Sequence, residues 1–181
     1  ESLPGKHNWL NAAAAYAVAK SVGISNHNIS NAFSTFKGLK HRQELIGKTD
    51  VATFINDSKA TNANATMCAM ACYNNIYWIA GGVAKDEGIE PLKPLLHRVK
   101  HAFLIGKSSF EFSKTLDQEK IQYTICKHLE HATIHAEKHA EKDALPGSVI
   151  LLSPACASFD AFKNFEERGD KFRQIIVNNW P

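Results

Sequence analysis

Short apolar runs recur along this chain, each followed by a polar turn and then a stretch with helical spacing. "RQELIGKTDVATFIND" reads as two short strands around the turn "GKTD". Further strands are predicted at 75 to 82 ("NIYWIAGG"), at "HAFLIG", near "YTIC", and at 147 to 153 ("GSVILLS"). Between them the pattern predicts helices over 62 to 73, after Pro91, from about Ser108, over 128 to 142, and after Phe165. Apolar strands alternating with helices predict an α/β fold: an open, mostly parallel sheet with helices on both faces. The start of the chain differs. Residues 11 to 22 are Ala-rich and end at Gly23, and a short helix is expected over 28 to 35, before Gly38. The pattern therefore breaks near residues 36 to 38, and a short helical tail precedes the sheet.

Composition narrows the class without naming an activity. The chain has 181 residues, 44% apolar and 22% charged, which suits one α/β domain with a fragment of another. No apolar run approaches the roughly 20 residues that span a bilayer. "ESLPGKHN" has neither the basic nor the apolar region of a signal peptide, which favours a cytoplasmic protein. It also lacks an initiator Met and reads as a cut point within a longer chain. A net charge of +3 suits small acidic substrates and falls short of a nucleic-acid footprint. Cys68, Cys72, Cys126 and Cys156 have no zinc-type spacing and read as reduced thiols.

The chemistry concentrates where strands end. Ligands of parallel α/β sheets bind at the carboxyl ends of strands. Three predicted strands here run into "INDSKATN", "IAGGVAKDEG" and "LLSPACASFDAFKNFEERGD". Lys59 and Lys85 offer cations, and Thr61 and Ser158 offer hydroxyls where helices are expected to begin. Capping and turn chemistry explain any one such loop. Three at one sheet edge point to an anionic ligand such as a small dicarboxylate. Two other signals are decoys. "IGKTD" and "IGKSS" end like a phosphate-binding loop, but the position of its first glycine holds Arg42 and His101. His128, His131, His135 and His139 line one side of a helix, flanking an apolar stripe of Leu129, Ala132, Ala136 and Ala140. They read as a solvated face rather than a metal stripe, and no metal ligands are assigned.

Taken together, "NDSKATN", "AGG" followed by Lys85, "LLSPACASFDAFKNFEERGDKF", "GKHNWLN" and "GLKHR" resemble the Mur ligase family, in its D-glutamate-adding branch. The resemblance covers essentially the whole chain. It implies an ATP- and Mg²⁺-dependent ligase that adds D-glutamate to UDP-N-acetylmuramoyl-L-alanine through an acyl phosphate during peptidoglycan precursor synthesis. It implies that residues 1 to 36 finish a central ATPase domain and that 37 to 181 form a C-terminal Rossmann-like, amino-acid-binding domain. The metal ligands are expected mainly in upstream domains of the same polypeptide. By the same resemblance Asn8, Asn11, Arg42 and Asp57 stand on the ATP side, and Lys59 at the reaction centre. Thr61, Lys85, Ser158 and Phe165 would hold D-glutamate, Phe165 through its backbone, with Phe159 lining the pocket. Asp86 departs from the family, which often has glycine after the lysine at position 85. A complete phosphate loop and a UDP-binding domain are missing, so this polypeptide alone is expected to be inactive. The competing reading is a non-catalytic Rossmann-like module that binds a small molecule. An oxidoreductase is disfavoured because no GxGxxG follows a strand.

Overall fold

The apolar runs become the strands β1 (Glu44–Lys48), β2 (Thr53–Asn56), β3 (Ile76–Gly81), β4 (Val99–Ile105), β5 (Tyr123–Ile125) and β6 (Val149–Leu152). The computed structural model describes residues 4–85 and 88–180. Its six strands form one sheet in the order β1-β2-β6-β3-β4-β5. The hairpin β1–β2 around "GKTD" is antiparallel, and every other pairing is parallel. The α/β class and mostly parallel sheet expected from the alternation are therefore present.

Strand side chains alternate between faces, so each central strand supplies two cores. Ile55, Trp78, Leu104 and Leu151 belong to one, together with Met70, Leu92, Phe112 and Leu116. These come from α3 (Ala63–Met70), a 3₁₀ segment (Glu90–Arg98) and α4 (Ser109–Gln118). Phe54, Tyr77, Ile79, Phe103 and Ile150 belong to the other, against Ala132, Ala136, Phe172 and Ile176. Those four lie on α5 (Leu129–Asp143) and α6 (Phe165–Asn179). All residues of β3 and β6 are buried, as expected for strands covered on both faces.

The helix expected after Pro91 is instead the 3₁₀ segment. Pro94 lies inside it, lacking the N–H an α-helix needs there and crowding the preceding turn. The helix expected over 62 to 73 stops at Met70. It starts where Asn62 Oδ1 accepts the Ala65 N–H at 2.9 Å.

The N-terminal helices behave differently. α1 (Lys6–Ser21) has no buried residue and α2 (Asn26–Thr35) buries only Ile29. Trp9, Leu10, Val18 and Val22 on or just after α1 are each at least 65% exposed, which is unlike the two-sided burial of the sheet. Among the described residues, no helix is long and apolar enough to cross a membrane.

Candidate functional site

The loop after β2 spends most of its polar side chains on the protein itself. Asn56 is buried. Its Nδ2 donates to Gly169 O at 3.1 Å, and its Oδ1 accepts the Ser58 N–H at 3.2 Å. Asp57 is also buried, with Oδ1 accepting the Gln43 N–H at 3.1 Å and Oδ2 accepting the Ser153 hydroxyl at 2.7 Å. Burial pushes its carboxyl up to about 7, against the opposing effects of Ser153, the Gln43 N–H and Arg42. Ser58 donates its hydroxyl to Phe165 O at 2.8 Å. Only then does the chain turn outward. Lys59 is exposed, its backbone N–H bonded to His41 O at 3.0 Å and its Nζ 4.3 Å from the centre of the Phe165 ring.

Five of the sequence-selected residues meet in one place. Asn8, Asn11, Arg42, Asp57 and Lys59 line a cleft of about 470 Å³, with Phe36 and Leu39 as apolar walls. Asn11 Nδ2 points at Asn8 Oδ1 at 3.4 Å, and Asn8 Nδ2 donates to Pro4 O at 2.8 Å. Arg42 and Lys59 give this cleft two exposed cations. Such a mixture of amides, apolar walls and cations fits a nucleotide, whose base and phosphates need different partners. It fits a divalent metal poorly. Among the described residues no three His, Cys, Asp or Glu side chains converge as a ligand set, and both Asp57 oxygens are already engaged.

The other five selected residues lie outside that lining, at the same sheet edge. Val83 and Ala157 exchange backbone hydrogen bonds at 2.8 and 3.0 Å, joining the loops that follow β3 and β6. Ser158 follows directly, and Lys85 lies two residues after Val83. Lys85 is exposed, whereas Ser158 is 2% exposed, with its carbonyl accepting the Ala161 and Phe162 N–H groups. Phe159 is 74% exposed. Thr61 is half-buried just before the α3 cap, and Phe165 opens α6, where first-turn N–H groups lack helical acceptors. Asp86 lies outside the described residues. The glycine pair after β3 is required by the fold itself: a Cβ on Gly81 would fall on the Ile105 carbonyl, and one on Gly82 on the Ala157 carbonyl.

Sequence reasoning overlooked Arg168. It is 1% exposed, and its Nε donates to Ser58 Oγ at 2.9 Å. Its Nη2 donates to Ser58 O at 2.8 Å and to Cys156 O at 3.0 Å. One guanidinium thus ties the Lys59 loop, the Ser158 loop and the start of α6 together. A signal was present, because Arg168 shares the buried stripe of α6 with Phe172, Ile175 and Ile176. An arginine on such a stripe must have found internal acceptors.

The histidines on α5 flank the apolar stripe, whose four residues are buried. The flank is less solvated than expected. His131, His135 and His139 are half-buried, and His139 packs 4.3 Å from His101 and 5.3 Å from Phe103 between ring centres. The reason is β4, whose exposed end brings His101 beneath the helix. Burial, with His139 adding to it, holds His101 down at about 4. All four cysteines are free, Cys126 and Cys156 buried and the other two half-buried.

Comparison with known proteins finds relatives that match nearly the whole chain. The chain is 50% identical over 175 residues to the UDP-N-acetylmuramoylalanine–D-glutamate ligase of Paramagnetospirillum magneticum, a match covering 97% of this chain. It is also 50% identical over 177 residues to the ligase of the same name from Rhodospirillum rubrum, and over 172 residues to that from Agrobacterium fabrum. The chain is a relative of these D-glutamate ligases. It spans only 38%, 37% and 36% of their respective lengths. No protein-family model matches it.

Proposed function

We propose that this chain is the C-terminal part of an ATP-dependent ligase that joins D-glutamate to UDP-N-acetylmuramoyl-L-alanine in peptidoglycan precursor synthesis. Residues 1 to 36 then finish a central ATPase domain, and 37 to 181 form the amino-acid-binding domain. The observation that carries the reading is the single cleft holding Asn8, Asn11, Arg42, Asp57 and Lys59, in a chain similar over nearly its full length to D-glutamate ligases. The exposed apolar residues of α1 and α2 also suit a segment that packs against further protein.

ATP held in the cleft would supply the phosphoryl group that activates the substrate carboxylate for attack by the amine of D-glutamate. The chain's own residues supply position and charge. Arg42 presents a planar fork able to bind two phosphate oxygens, which a lysine cannot do. Lys59 places an exposed cation in the wall of the same cleft, suited to a point where charge is shared between oxygens during transfer. The two carboxylates of D-glutamate need cations and hydroxyl or N–H donors. Lys85, Thr61, Ser158 and the Phe165 N–H are of those kinds, and the Val83–Ala157 pairing and Arg168 clamp hold their loops together. Mg²⁺ would be held mainly by residues outside this chain.

The test is phosphate release by the intact ligase with ATP, Mg²⁺ and UDP-N-acetylmuramoyl-L-alanine, comparing D- with L-glutamate. Release that depends on D-glutamate, with the 181-residue chain silent in parallel, is expected. Release with neither isomer would overturn the reading and leave a binding module.

A further inference from the structure

A second cavity of about 440 Å³ opens at the ends of β3 and β4, and none of the cleft residues named above lines it. Its wall includes Gly82, Gly106, Lys107, Lys127, Phe162 and Arg168. Arg168 has already spent Nε and Nη2 on Ser58 and Cys156. Its remaining nitrogen, Nη1, is buried and has no hydrogen-bond partner. A buried guanidinium N–H left unpaired is costly, and among the described residues no carboxylate lies within salt-bridge distance of this one, although Asp160 favours its charge from further off. The stretch "IGKSS" here occupies a strand–turn–helix junction, between the end of β4 and the start of α4. Asp160 is the one acidic residue in the wall, and one of its oxygens, Oδ2, accepts the Lys107 N–H at 3.0 Å. That carboxylate offsets part of the positive charge of the wall, and among the described residues no carboxylate is ion-paired with Lys107, Lys127 or Arg168.

We propose that this cavity is a second small-molecule site that takes an oxyanion, a phosphate or a carboxylate, carried on an apolar body. Lys107 and Lys127 draw in the anion, Arg168 Nη1 is its buried donor, and Leu129 and Phe162 cover the body. The site is separate from the proposed nucleotide cleft, yet Arg168 links the two indirectly: the guanidinium that would meet this anion also holds Ser58, next to Lys59. The inference does not depend on the ligase reading.

The experiment is an amide and arginine-Nε NMR titration of the intact protein that contains this chain, with phenyl phosphate, inorganic phosphate and benzoate in separate arms. Saturable shifts at Gly82, Gly106 and the Arg168 Nε–H are expected. Their midpoint should rise by about tenfold in K107E/K127E, equivalent to ~1.4 kcal/mol, and stay unchanged in K114E, which alters surface charge elsewhere. Phenyl phosphate saturating below the other two would assign a phosphate ester, and benzoate saturating first would assign a carboxylate. Absence of saturation in every arm, or equal midpoints in K107E/K127E and the unaltered chain, would overturn the proposal. These rim variants avoid the folding defect that replacing Arg168 itself would bring.

Discussion

Asp57 gives the sharpest test of the site's internal chemistry. Its carboxyl is 5% exposed and raised from 3.8 to about 7, chiefly by burial. The folded chain therefore holds this proton up to about pH 7, whereas the unfolded chain releases it near pH 4. Because the folded-state value is the higher one, the stabilisation is complete below pH 4 and is lost as pH rises through 7. At ~1.4 kcal/mol per pH unit, a rise of about three units makes the loss about 4 kcal/mol. Asp57→Asn keeps an acceptor for the Gln43 N–H and removes the titration. Another group works in the opposite direction: His101, held at about 4, makes stability rise with pH between its folded and ordinary values. The difference between the two proteins cancels that contribution. Urea unfolding, followed by the fluorescence of buried Trp78 under reducing conditions, would be measured from pH 4.5 to 8. The Asn variant should gain on the unaltered chain steadily up to about pH 7 and then run parallel. A constant difference across that range would refute a protonated Asp57.

Three further outcomes follow from the same geometry. Arg168→Met strands the Ser58 and Cys156 carbonyls, at ~1–3 kcal/mol each, and relieves a buried charge, so a net loss of about 2–4 kcal/mol is expected by urea unfolding. A loss under ~1 kcal/mol would mean that Arg168 is not the clamp between the loops. In the intact ligase, Lys59→Ala should lower kcat far more than it raises any KM, and near-normal turnover would remove Lys59 from the reaction centre. Ser158→Ala should mainly raise the KM for D-glutamate, by about tenfold if a carboxylate loses one donor, and an unchanged KM would make Ser158 a structural residue.

The alternation of apolar runs was enough to place the strands, because β3 and β6 are covered on both faces and must be apolar throughout. Helix starts were legible where a side chain caps its own helix, as Asn62 does for α3. The segment after Pro91 reads as an α-helix only from its alternation with the strands, and Pro94, which has no N–H to donate within it, goes with the 3₁₀ form. The polar loop after β2 was legible as unusual but not in its purpose. Asp57 is bonded to Ser153 and Asn56 to Gly169, partners 96 and 113 residues away, and no local pattern encodes such pairings. Arg168 was overlooked although its spacing to Phe172 and Ile175 marks the buried stripe of α6, because its acceptors, Ser58 and Cys156, lie on other loops.

The internal use of Asn56, Asp57 and Ser58 is itself an argument about the site. A cleft offering Arg42 and Lys59 to an anion would be weakened by a carboxylate in its own wall. Here that carboxylate is buried, bonded through both oxygens, and inclined to stay protonated below about pH 7. Its charge is thereby subdued where a phosphate would lie, while its hydrogen bonds lock the loop that carries Lys59. Ser58 and Arg168 then tether that loop to α6, while Lys59 turns outward, exposed, with its Nζ over the Phe165 ring. An exposed cation on a well-anchored base suits a group that must meet charge as it is shared between oxygens. A loop serving only to cap α3 would need Asn62 and nothing more.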